Sequence, residues 1–222
     1  HAWDKRSILV LHSDGVRAHW RREDFPALTA GRAPAAEAAG QLLRAWAVET
    51  GEAIRVFGWC QPWRWRAVPD RLNGPGVPGR HGIVFVHGFV SNRGFWNPWL
   101  RRVHAEGRAF VAVNLEPVFG SIDEYVSALD AAVAQVRAAT GLPPMLVCHS
   151  MGGLVARAWL RTQPENDAVA HVVTIGSPHR GTWLASFGHL PSSRQMRLDG
   201  AWIKELGRGW TPQAVYEGSQ GA

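Results

Sequence analysis

Lysine is nearly missing from this chain of 222 residues: Lys5 and Lys204 are the two. The formal charge of +6 therefore rests on arginines scattered along the whole length. Dispersed arginine makes neither a patch nor a stripe, which a nucleic-acid surface requires, so nucleic acid is excluded as a partner. A basic surface does favour anionic interfaces. Cysteine is scarce as well. Cys60 and Cys148 are far apart in sequence, and Cys148 ends an apolar run, so no disulfide framework is expected. The histidines are isolated, and no His/Cys/Asp cluster has ligand spacing, so no metal is expected. There is neither a phosphate loop nor a G-x-G-x-x-G, so no nucleotide cofactor is expected. No apolar run approaches the roughly 18 residues of a membrane span, and no signal peptide is visible. The chain opens at His1 without a methionine. A processed or trimmed form would look like this, and removal of an N-terminal segment would fit secretion or membrane association.

The composition is that of a globular protein, 46% hydrophobic and 19% charged. The length suits one sizeable core. Residues 1–80 form one region and residues 81–222 another. In the first, Ser7–Leu11 reads as a short strand or helix end. Pro34–Glu49 reads as a helix, Ile54–Trp59 and Arg64–Val68 as two strands of a hairpin leading the sheet, and Asn73–Gly79 as a loop. The tryptophans at 59, 63 and 65 read as half-buried strand packing. From residue 81 strands and helices alternate. The apolar run Ile83–Val86 precedes a helix near Trp96–Glu106. Phe110–Leu115 precedes a helix from Ile122 to Ala139, with Ser121 before it and Asp123 and Glu124 in its first turn. Pro143-Pro144 then introduces a strand at 145–149, a helix ending before Pro164 and a strand at 171–175. Short apolar strands alternating with helices imply right-handed βαβ units and a parallel sheet, whose ligands bind at the carboxyl ends of the strands.

Three segments fall at those ends. Cys148-His149-Ser150-Met151-Gly152-Gly153 is strand, sharp turn and helix with a serine at the turn. Such a turn lifts the hydroxyl out of the sheet edge. The following N–H, that of Met151, can hold an oxyanion there. Gly152 lies two residues beyond the serine, where strand and helix nearly touch. Cys148 stands two residues before it, where the G-x-S-x-G pattern has glycine, and is a small replacement. His87-Gly88-Phe89 follows a fully apolar strand, and Gly88 lets the backbone turn and present an N–H. Gly176-Ser177-Pro178-His179-Arg180-Gly181-Thr182 follows the strand Val172–Ile175.

With these motifs in this order, residues 80–185 resemble the bacterial triacylglycerol lipases and esterases of the α/β-hydrolase superfamily. The resemblance implies an α/β-hydrolase fold, a mostly parallel sheet flanked by helices, and a serine esterase acting on carboxylic esters, often acylglycerols. It implies that Ser150 is the nucleophile and that the N–H groups of Phe89 and Met151 form the oxyanion hole. His87, Gly88, His149 and Gly152 would shape the site. The substrate would be a small ester or a lipid, with contact to lipid interfaces.

Ser150 needs a histidine to take its proton, and that histidine needs an acid. After Ser150 come His171, His179 and His189, with Glu165, Asp167, Asp199, Glu205 and Glu217. A helix of about a dozen residues carries Glu165 and Asp167 some 18 Å from the elbow, and His171 starts at that far edge. His179 and His189 are at the near edge. The family has its histidine beyond a later strand, commonly in a Gly-His pair, and Gly188-His189 comes early for it. Two readings follow. In one, the chain lacks the C-terminal strands that carry acid and base, leaving no histidine bonded to Ser150 and an open sheet edge beyond strand 171–175. In the other, His189 and Asp199 form an unusual pair. The alternatives to an ester hydrolase are an acyltransferase and a catalytically impaired fragment or binding module that keeps the elbow.

Overall fold

The computed structural model describes residues 8–11, 58, 61–163 and 167–208. Five parallel strands form one sheet: β1 (Ile8–Leu11), β2 (Ile83–Val86), β3 (Phe110–Val113), β4 (Met145–His149) and β5 (His171–Ile175), in the spatial order β1-β5-β4-β2-β3. The helices are α1 (Gln61–Arg64), α2 (Asn97–Ala105), α3 (Val126–Thr140), α4 (Met151–Thr162), α5 (Pro191–Gln195) and α6 (Ala201–Gly207). Short 3-10 turns precede α2 (Arg93–Trp96), α3 (Ile122–Tyr125) and α5 (Trp183–Phe187).

Strand β2 and the interior of β4 are apolar throughout because both faces are covered. Val84, Phe85 and Val86 are fully buried, as are Leu146 and Cys148. The two faces have separate cores. One gathers Val84, Val86, Leu146 and Cys148 with α3 and α4, through Leu129, Val136, Leu154 and Trp159. The other gathers Phe85, Phe110, Ala112 and Val147 with Trp96, Leu100 and Val103 of the turn and helix after β2. A period-2 alternation thus sends neighbouring residues of one strand into different cores.

The chain signals that start and stop the helices are visible. Ser121 and Glu124 close a capping box. Gly141, at φ 74°, ends α3 in the left-handed conformation that glycine adopts without strain. At the β3 edge, Asp70 accepts a hydrogen bond from the Ala112 N–H at 2.9 Å, and Arg71 exchanges backbone bonds with Phe110. A segment from the first region therefore satisfies polar groups that an edge strand would leave open.

Three expectations are corrected. Residues 64–68 are not a strand: Gln61–Arg64 is one helical turn, followed by a turn that brings Val68 into the second core. The Arg66 guanidinium lies 4.1 Å over the Trp65 ring, and Trp63 is exposed, so these tryptophans are not strand packing. The sheet edge beyond β5 is not open. Strand β1 pairs with β5 in parallel, Ile8 opposite Val172 and Leu11 opposite Ile175. The expected helix 34–49 and the residues 54–57 and 59 of the expected first hairpin strand lie outside the described residues, as does Cys60.

Candidate active site

Ser150 lies between the end of β4 and the start of α4 at φ 50°, ψ −124°. A residue with a Cβ seldom occupies that region, and holding it there costs on the order of 1–3 kcal/mol. Neighbouring backbone supplies the constraint. The Ser150 N–H donates to the Ile175 carbonyl at 2.9 Å, and its carbonyl accepts from Gly153 at 3.1 Å. Close approach then explains the glycines. A Cβ on Gly152 would sit 2.6 Å from the Val86 carbonyl oxygen and 2.7 Å from that of His87. A Cβ on Gly153 would fall on the Ser177 Oγ. Cys148 tolerates its position because it is fully buried in the first core as a free thiol, pushed upward in pKa by burial.

The loop after β2 meets this elbow directly. A Cβ on Gly88 would lie 2.9 Å from the Ser150 Cβ and 3.1 Å from the His149 Nδ1. Among the described residues, neither the Phe89 nor the Met151 N–H has a hydrogen-bond acceptor. Two backbone donors on adjoining loops, one next to the serine, can receive an oxygen that gains negative charge.

His87 is buried beneath the loop. Its Nε2 accepts from the Leu115 N–H at 3.0 Å, so its Nδ1–H donates to the Gly88 carbonyl at 2.8 Å. Burial is the main cause that lowers its pKa to about 4, leaving a neutral tether between the loop and the exit of β3. The His149 ring stacks on Phe95 at 4.4 Å and 25°. Burial lowers its pKa too.

The candidates for base and acid do not assemble. His179 directs its Nε2 to the Thr174 Oγ at 3.1 Å, and its carbonyl accepts from Arg157 at 2.8 Å. Burial, then the Arg157 charge, lowers its pKa to about 4. His189 is exposed. Asp199 faces Arg180 at 3.8 Å, with both side chains more than half exposed. Among the described residues no histidine is hydrogen-bonded to Ser150, and His189 is not bonded to Asp199.

The residues that hold the loop after β2 were not among the sequence candidates. The Asn92 N–H donates to Gln61 Oε1 at 2.9 Å, and Asn92 Nδ2 also donates to the Gln61 carbonyl at 3.0 Å. Arg93 reaches the Val68 carbonyl at 2.8 Å and Asp70 at 2.7 Å. Asn92 is a recognisable N-cap, accepting from Gly94 at 2.9 Å. Nothing local points from it to Gln61, thirty-one residues earlier.

The profile of the alpha/beta hydrolase family matches residues 83–220. This is more than half of the chain, and the chain belongs to that family. A triacylglycerol lipase of Pseudarthrobacter phenanthrenivorans is 35% identical over 118 residues, covering 49% of this chain and 36% of that protein. One of Burkholderia plantarii is also 35% identical over 118 residues, covering 49% and 32%. The chain thus matches about a third of the length of these curated relatives. Among solved structures, the mature form of Bacillus licheniformis lipase BlEst2 superposes with a TM-score of 0.52 at 20% identity, over 64% of this chain and 66% of that one. Aspergillus fumigatus lipase B gives 0.53 at 18% identity, over 64% and 37%. Both show the shared fold.

Proposed function

We propose that this chain carries the nucleophile and oxyanion machinery of a carboxylic ester hydrolase of the lipase and esterase type. The observation that carries the reading is Ser150 at φ 50°, beside two loops whose Phe89 and Met151 N–H groups have no acceptor among the described residues. The Ser150 Oγ attacks the ester carbonyl while its proton passes, through solvent water, to the oxygen that will leave as the alcohol. The carbonyl oxygen takes the negative charge, and the two N–H groups hold it. Collapse expels the alcohol and forms an acyl-serine that water hydrolyses. The names of the curated relatives support ester chemistry. An apolar acyl group is supported by Phe89, Val90, Val118 and Phe119, which project from the loops after β2 and β3. The last three are 42–54% exposed, and the Phe89 and Phe119 rings meet edge-on at 6.4 Å.

The lack of a histidine bonded to Ser150 among the described residues favours a second reading, an elbow-bearing module of impaired turnover. A fluorophosphonate probe separates the two. Rapid labelling at Ser150, located by peptide mass spectrometry and lost in Ser150→Ala, accompanies hydrolysis of p-nitrophenyl esters in the first reading. Absence of labelling on the folded chain would remove that reading, and wild-type turnover in Ser150→Ala would remove the serine from the chemistry.

A further inference from the structure

The loop that bears Phe89 is anchored on several sides. His87 ties it to Leu115 after β3, and Asn92 and Arg93 tie it to Gln61, Val68 and Asp70. None of these bonds reaches the β4 elbow. Phe95 does. Its ring lies against His149, the residue before Ser150, at a centroid distance of 4.4 Å and 25°. Phe95 is itself held edge-on by the fully buried Trp96 at 4.9 Å and 88°, and Trp96 packs on Phe85 of β2 at 5.1 Å. The Nδ1 edge of the imidazole is occupied as well. Its Nδ1 is buried without a hydrogen-bond partner, against the Gly88 backbone. His149 is therefore wedged between both ends of one loop, Gly88 and Phe95, while its own backbone continues into the elbow. A flat ring suits this slot, since aromatic faces stack at defined offsets and leave little lateral freedom.

We propose that Phe95 and His149 form a positioning clamp that sets the separation of the Phe89 and Met151 N–H groups. This rests on reading those groups as the oxyanion donors. Neither side chain touches the reacting atoms in this scheme. They act by fixing one donor-bearing loop against the other. A misplacement of about 1 Å at such a site costs on the order of 10² in rate.

The test uses the whole chain and three variants: Phe95→Leu, which keeps an apolar side chain without a ring, Phe95→Tyr, which keeps the ring, and His149→Ala. In wild type, ring-current shifts should move the His149 ring protons upfield, and Phe95→Leu should remove that shift. Phe95→Leu and His149→Ala should raise the backbone mobility of both Phe89 and Met151, read by amide NMR relaxation, with Phe95→Tyr near wild type. On a p-nitrophenyl ester, the first two variants should lower kcat by about 10-fold or more with KM little changed, and Phe95→Tyr should restore it. Unchanged backbone mobility at Phe89 and Met151 in folded Phe95→Leu, or an effect confined to KM, would overturn the clamp. Should Phe95→Leu fail to fold, His149→Ala carries the mobility and rate readouts. The mobility measurement needs no turnover. An inert Ser150 would therefore end the hydrolase reading, while backbone mobility at Phe89 and Met151 would still decide whether the clamp exists.

Discussion

The elbow after β4 and the loop after β5 begin alike, each an apolar strand running into glycine, serine and histidine at one sheet edge. They are built to different standards. Around Ser150 the start of α4 lies so close to the end of β2 that a Cβ on Gly152 would meet the Val86 and His87 carbonyl oxygens, and Gly88 lies tightly against the side chains of Ser150 and His149. His87 has both ring nitrogens engaged. After β5, His179 turns inward onto Thr174, His189 stays exposed, and Asp199 makes a surface ion pair with Arg180. Close packing of backbone against backbone marks a place where geometry is fixed. Side chains resting on a surface do not. The proposed nucleophile and oxyanion half of the site meets the first description, His189 and Asp199 meet the second, and His179 is buried but turned to Thr174.

Substitutions should expose this asymmetry. The largest effect is expected for Gly152→Val, because its side chain would collide with the Val86 and His87 carbonyl oxygens at the end of β2, a strand paired on both sides. Soluble yield and the cooperative unfolding transition should both be lost. A soluble, cooperatively folding Gly152→Val protein would show that the elbow is less tightly packed.

Acid should act through His87. Its folded pKa of about 4 lies below the ordinary 6.5, so the unfolded chain binds the proton more readily. The stabilisation is complete above about pH 6.5 and declines as pH falls toward about 4. Its size is about 3 kcal/mol, at 1.36 kcal/mol per pKa unit. Urea midpoints measured from pH 7 to 4.5 should fall, and fall less steeply in His87→Asn. Equal slopes in the two proteins would place the acid sensitivity elsewhere.

Gly88→Val should retain the fold at some cost, while pushing the Phe89 loop away from Ser150. Turnover should drop by about 10², the loss expected when one oxyanion donor is displaced, with KM less affected. The smallest effects belong to the other region. His189→Ala and Asp199→Asn should leave turnover within a few-fold and stability within about 0.5 kcal/mol, as for exposed positions and surface ion pairs. A hundred-fold loss in either would mean that the two residues reach Ser150 in solution and form the unusual pair after all.

What the sequence determined by itself was the local part of this molecule. Apolar runs specified β2 and the interior of β4, because a strand buried on both faces leaves no polar positions, and β-branched residues marked β5, which carries Thr174 and is half-buried at alternate positions. Ser121 with Glu124, and Gly141, specified the limits of the 3-10 turn and helix between β3 and β4, because caps satisfy the backbone of their own neighbours. Ser150 with Gly152 two residues on specified the elbow, because a residue without a Cβ there lets strand and helix touch. The expected strand at 64–68 failed because the alternation of Arg64, Trp65, Arg66 and Ala67 is short, and nothing in it records that the chain turns there to bring Val68 into the second core. Tertiary structure alone decided the rest: that β1 occupies the edge of β5, that Gln61 holds Asn92, that Phe95 lies on His149, and that His179 faces Thr174 instead of Ser150. These are contacts between segments distant in sequence or set by how a loop returns to the sheet. No neighbouring residue carries a trace of them, because the energy that selects them comes from surfaces that meet only once the chain has folded.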